Sequence, residues 1–181
     1  MATALELTKE WQTLCNLQGF DPAVLLNYTC TITSFGGTGN TTYADFGGTK
    51  GHASNVPSII LPFDGVIVSA GVKYVQHNSP VTGAGSLSIQ AAGSPGTALG
   101  ANASFASLGE LAGFTNAELV VASTNASKTV TGLSIAVVKD SCLAVRCVAT
   151  GAVDNGDNDS QLVINFQLAV PQSKFALPTV S

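Results

Sequence analysis

The chain has 181 residues, a formal net charge of -4 and only 10% charged residues against 45% hydrophobic ones. Ordinary soluble domains carry roughly 25% charged residues, so solubility here has to rest on neutral polar side chains. The Lys and Arg residues are scattered from Lys9 to Lys174 without a basic run, which argues against nucleic-acid binding by counterion release. No apolar stretch reaches the roughly 18 residues of a membrane span. The opening MATALELTKEW carries charges where a signal peptide needs an unbroken apolar segment, so neither membrane insertion nor ordinary export is expected.

In chain order, Leu5 to Leu14 reads as a strand, with Leu5, Leu7 and Trp11 alternating against Glu6 and Glu10. Trp11 is the only tryptophan, a residue type enriched at interface anchors, and the competing reading is a first strand packed into its own core. Asp21 with Pro22 is a candidate cap and first helical position. Leu26, Tyr28, Cys30 and Ile32 then share one strand face while Asn27, Thr29, Thr31 and Thr33 share the other.

The stretch SFGGTGNTTYADFGGTKG, residues 34–51, resembles a phosphate loop only in composition. A P-loop needs G-x-x-x-x-G-K-[ST] between a strand and a helix, whereas Lys50 is followed by Gly51 and His52 with no helical period after them. The near-repeat Phe35-Gly36-Gly37-Thr38 and Phe46-Gly47-Gly48-Thr49 predicts two glycine turns around a short strand from Thr41 to Asp45. Tyr43 and Phe46 are the aromatic residues in this stretch that a ligand loop would use.

Further strands are expected at Ser58 to Leu61, Val66 to Tyr74, Ser86 to Ala91, Leu119 to Ser123, Thr129 to Val138, Leu143 to Thr150 and Leu162 to Val170. Alternation places Val66, Val68, Ala70, Val72 and Tyr74 opposite Ile67, Ser69, Gly71 and Lys73. Only Ala103 to Leu111, short and Ala-rich, suggests a second helix. The fold class expected is all-β, a jelly-roll-like antiparallel sandwich with little helix, formed by residues 1–170. Residues 171–181, AVPQSKFALPTVS without its first two letters, form a C-terminal arm whose Phe175, Leu177 and Val180 are too apolar for a solvated tail.

Reactive chemistry is sparse. There is no G-x-S-x-G elbow, and Ser86 and Ser88 fall on the outward face of an alternating strand. His52 and His77 sit at turn positions. Cys142 and Cys147 face opposite ways on one strand and cannot pair with each other. Buried free thiols and a Cys15 to Cys30 bridge are the alternatives for the rest, and the spacings do not make a zinc site. Asp154 to Asp159 is a dense acidic run, read as a hairpin turn at Asn155-Gly156 or as a calcium loop that lacks the EF-hand order. Sequons at Asn27, Asn40, Asn102, Asn125 and Asn158 are expected by chance in a chain so rich in Asn, Ser and Thr. No enzyme activity, cofactor or metal is expected.

The segment ALELTKEWQTL, residues 4–14, resembles the first strand of tailed-phage head-decoration and fibre proteins, where Leu-Thr-x-x-Trp begins a sandwich. LPFDGVIVSAGVKYV, residues 61–75, followed by SLSIQ, is similar to the Asp-Gly and long-strand step of jelly-roll domains in viral structural proteins and C1q-like trimers. The resemblance implies a homotrimeric capsid cement or decoration protein, made in the host cytoplasm and bound to the major capsid protein at the virion surface. Leu5, Leu7, Trp11, Phe175 and Leu177 would then serve subunit or capsid contacts. A fibre-tip receptor- or carbohydrate-binding module using Tyr43 and Phe46 is the alternative.

Overall fold

A computed structural model describes residues 23–33, 37–38, 41–46, 58–75, 85–94, 105–115, 117–118, 125–150, 152–153 and 161–175. The strands are β1 (Ala23–Thr33), β2 (Gly37–Thr38), β3 (Thr41–Tyr43), β4 (Ile59–Ile60), β5 (Gly65–Val75), β6 (Ser86–Ser94), β7 (Ala106–Phe114), β8 (Asn125–Val137), β9 (Cys142–Thr150), β10 (Ala152–Val153) and β11 (Gln161–Pro171), followed by a 3-10 turn, Gln172–Lys174.

One sheet has the order β1-β11-β5-β8, and the other β3-β9-β6-β7 with β4 also pairing β9. All pairings are antiparallel; β5 with β11 and β6 with β9 join neighbouring pairs within each sheet, and the others are β1 with β11, β2 with β10, β3 and β4 with β9, β5 with β8, and β6 with β7. The latter nest: first with last, second with second-last, inward to the central hairpin. A long antiparallel ribbon rolled so that alternate pairs fall in opposite sheets gives this order, which is the jelly roll. The expected all-β sandwich is therefore the observed fold.

Alternation fills the space between the sheets. Leu162, Ile164, Phe166, Leu168 and Val170 of β11 meet Leu87, Ile89 and Ala91 of β6 and Leu143, Val145 and Cys147 of β9 in one buried cluster. Tyr28 stacks on Phe166 at 5.2 Å between ring centroids, and Phe46 meets the same ring edge-on at 6.5 Å. Cys30 is a free thiol inside this core rather than half of a bridge. Burial pushes the thiols of Cys30 and Cys147 up to about 12, so both stay protonated and unreactive. Cys142 lies in a separate buried cluster on the other side of β9, with Ala92, Ala144 and Phe105. The two cysteines of that strand thus face opposite ways, as the spacing required.

Two expectations need correction, both because of bulges. The described part of Ala103 to Leu111 is not helical: Phe105 leads into β7, whose residues pair with β6. Leu111 falls between Ala112, opposite Ile89, and Glu110, opposite Gln90; Leu108 falls likewise between Gly109 and Ser107. Each extra residue resets the in-out alternation, so β7 shows no period of two and its Ala and Leu content reads as helical. Ile67 is the second correction. It is fully buried rather than on the solvent face, because Val68 is skipped in the register between Ile67 and Ser69 against both neighbouring strands. Gly132, at φ +73, lies in the matching irregularity of β8, a left-handed conformation that a side chain would strain.

Both open sides of the sandwich are stitched. Ala44 donates its N–H to Val145 in one sheet (2.8 Å), while the next residue, Asp45, exchanges backbone hydrogen bonds with Thr31 in the other (2.7 and 2.9 Å). On the opposite side Lys128 of β8 donates to the carbonyl of Gly113 (2.7 Å), lies over the Phe114 ring at 5.7 Å and pairs with Glu118 at 2.9 Å. Glu118 also accepts from the Thr115 N–H (2.7 Å) and hydroxyl (3.0 Å), while Thr115 Oγ1 accepts from the Glu118 N–H (3.3 Å). Thr115-x-x-Glu118 is thus a reciprocal capping box at the end of β7.

The backbone N–H of Thr115, then Lys128, hold the Glu118 carboxyl down at about 2. A carboxylate whose folded value lies below its ordinary one stabilises the fold above that ordinary value and loses the effect as pH falls toward the folded value. The melting temperature of the wild-type chain is therefore expected to exceed that of Glu118→Gln at pH 6, with the gap closing between about pH 4.5 and pH 2. A gap that stays constant across that range would contradict the assignment.

Candidate interaction surfaces

The register collects one set of chain segments at a single end of the sandwich. Ala23 to Leu25 pair with Pro171 to Ala169, Ala169 pairs with Val66, and Val66 with Ala136. Ile60 pairs with Cys142, Leu61 donates to Ser141 (3.1 Å), and Asp140 donates back to Leu61 (2.8 Å). The start of β1, the β4–β5 link, the β8–β9 turn and the end of β11 therefore converge. Among the described residues five large hydrophobics are exposed, and four of them, Val24, Leu25, Ile60 and Val138, lie at this end, Val138 at 63%.

Asp64 organises the same end. Its Oδ1 accepts from the backbone N–H of Lys139 (2.9 Å), and its Oδ2 lies 3.6 Å from Lys174 Nζ. The Lys139 hydrogen bond, followed by the charge of Lys174, holds its carboxyl below the usual range. The Phe175 ring packs on Phe63 with centroids 4.6 Å apart. The exposed ion pair contributes little energy, so the aromatic contact is what seats the chain at Phe175. Residues 1–22 and 176–181 join the described chain at this end.

The outer faces of the sheets differ. On the β1-β11-β5-β8 face, Gln167 donates to Asn27 (3.1 Å), Ser69 donates to Gln167 (2.7 Å) and Thr29 donates to Asn165 (2.8 Å). Neutral amides and hydroxyls tied across strands make this face polar with little charge, matching the composition. On the other sheet Tyr43, Arg146, Gln90 and Glu110 are successive register partners across β3, β9, β6 and β7. Arg146 donates to Gln90 Oε1 (3.0 Å) and to the Phe105 carbonyl (3.1 Å), Gln90 to Ser88 (3.0 Å), and Ser88 to Glu110 (2.6 Å). The Tyr43 ring lies 6.0 Å from that of Phe105, tilted by 59°.

Of the residues singled out in the sequence, Phe175 lies on the converging end. Tyr43 faces outward beside Phe105, whereas Phe46 packs against Phe166, so the two do not share a surface. Gly37 and Thr38, from the first glycine turn, pair with Val153 and Ala152. Leu5, Leu7, Trp11, Leu177, Cys15, His52, His77 and the run Asp154 to Asp159 lie outside the described residues. Among the described residues no group of three or more His, Cys, Asp or Glu could hold a metal ion, and no helix is long and apolar enough to cross a membrane. Sequence reasoning passed over Asp64, Ile60 and Val138, and over the Arg146, Gln90 and Glu110 row. The row could not be read without the register, although Thr115-x-x-Glu118 was visible as a cap signal.

These surfaces sit on a jelly-roll sandwich whose two facing sheets hold four and five of the described strands. Among solved structures the chain is similar to one titled cyanophage Pam1 capsid asymmetric unit, with a TM-score of 0.39 and 17% identity, covering 83% of this chain and 87% of that one. No family model and no curated protein matches it.

Proposed function

We propose that the chain is a non-catalytic viral structural protein, a capsid cement or decoration protein that binds the major capsid lattice as a homotrimer. The observation that carries this reading is the convergence of four exposed large hydrophobics with the Phe63–Phe175 seat at the end where both terminal segments join. Scattered single apolar residues on a surface need no explanation, but a group gathered at one end of a rigid sandwich suits a protein contact. The jelly-roll architecture supports the reading without deciding it, because one fold hosts many functions.

A trimer suits such a contact physically. Each copy presents a modest patch, and joining three copies turns later attachments into intramolecular ones at high effective concentration, so weak contacts sum to firm attachment. The terminal segments, with Leu5, Leu7 and Trp11 at one end of the chain and Leu177 at the other, extend the apolar contact to a neighbouring copy or to the major capsid protein.

Light scattering coupled to size-exclusion chromatography tests the oligomer, and co-sedimentation with capsids of the encoding virus, assembled without this chain, tests the attachment. The expected results are three times the 18.3 kDa chain mass and saturable binding to the particle. A monomer that fails to sediment with the particle would overturn the proposal.

A further inference from the structure

From the outer face of the β3-β9-β6-β7 sheet we propose a second binding site, for a short neutral oligosaccharide laid across Tyr43, Arg146, Gln90 and Glu110. The inference is independent of capsid attachment, which uses the converging end.

A sugar ring presents an apolar C–H face and a rim of hydroxyls, each both donor and acceptor. Recognition needs an aromatic ring held at a fixed angle, with planar polar side chains beside it whose remaining donors and acceptors are already aimed. The row supplies both. Tyr43 is fixed by its contact with Phe105 above the buried Ala92, Cys142 and Ala144. Arg146 is held by Gln90 and the Phe105 carbonyl, Gln90 by Ser88, and Ser88 by Glu110. This chain of hydrogen bonds orders the side chains before any ligand arrives, so little rotamer freedom remains to be lost on binding.

Gly113 shows that the position of Glu110 depends on local space. A Cβ there would lie 2.8 Å from Glu110 Oε1, so a side chain at this position would make the carboxylate shift from where it accepts the Ser88 hydroxyl. Tyr43, Arg146 and Gln90 are half-buried and Glu110 is exposed, so each keeps part of its surface accessible. With strands about 4.8 Å apart, four side chains in a row span about 14 Å, the reach of a short oligosaccharide rather than a single ring.

Charge selects the class. Arg146 and Glu110 balance, and Glu110 stands exposed at the end of the row, where it would repel an acidic sugar. A nucleic-acid backbone would need several cations, and the row has one, already bonded to an amide and a carbonyl.

The test is a glycan array holding neutral glucans, mannans and galactans beside sialylated and uronic-acid glycans, probed with the purified full chain. Calorimetric titration with the best neutral binder follows. Binding to neutral oligosaccharides is expected, weakened roughly tenfold or more by Tyr43→Ala and by Gln90→Ala. Tyr43→Phe, which keeps the ring and its packing, should stay within a few-fold of wild type and so separates loss of stacking from loss of fold. Thr129→Ala on the opposite sheet should leave affinity unchanged. An array on which no neutral glycan binds, binding confined to acidic glycans, or neutral binding that Tyr43→Ala and Gln90→Ala leave intact would each overturn the site.

Discussion

Replacing Phe166 by alanine is expected to lower the unfolding free energy by about 3–5 kcal/mol, the usual cost of deleting a buried phenylalanine ring. Phe166 is 1% exposed, stacks on Tyr28 and meets Phe46 edge-on. Its removal takes away the buried apolar surface and two aromatic pairings, and the paired strands β1, β11 and β5 around it resist collapse into the space. Since a domain's whole stability is about 5–15 kcal/mol, the variant should show a large fall in urea midpoint. Asn165→Ala, one residue away on the outward face, loses only the exposed bond to Thr29 and should cost under about 1 kcal/mol. Similar costs for the two variants would mean that β11 does not present its alternate faces to core and solvent.

The double replacement Ile60→Asp with Val138→Asp is expected to reduce sedimentation with capsids by roughly tenfold to a hundredfold while leaving the melting temperature close to wild type. Both side chains are exposed, Ile60 at 43% and Val138 at 63%, so a carboxylate at either position remains solvated in the free chain. In a contact the same carboxylates would be stripped of water without a partner, a far larger cost than the lost apolar area. In the proposed trimer the loss should be steeper than for one isolated contact. Undiminished sedimentation of a folded double variant would remove this end from the proposed attachment surface.

How far the sequence reached is clearest strand by strand. In β11 every second residue from Leu162 to Val170 is apolar and every one is buried, because a regular strand has a period of two and nothing interrupts it. The same holds for Leu87, Ile89 and Ala91 in β6, and for the opposed cysteines of β9. Such stretches, with low charge and frequent turn residues, sufficed for an all-β sandwich. The composition also pointed to neutral amides and hydroxyls on the outer faces, as in the Asn27, Gln167 and Ser69 ladder.

What the chain order could not contain is which strands lie side by side. β7 hid behind two bulges whose extra residues, Leu108 and Leu111, are placed only by pairing with β6, and Ile67 turned inward for the same reason. The candidate surfaces are wholly tertiary. Ile60, Val138 and Leu25 come from separate parts of the sequence, and Tyr43, Arg146, Gln90 and Glu110 from four strands whose order across the sheet differs from their order along the chain. Composition and period act on neighbours in sequence, whereas a surface of this kind is assembled by long-range backbone pairing. The residues of both surfaces were therefore written in the sequence, and their adjacency was decided by the roll of the sheets.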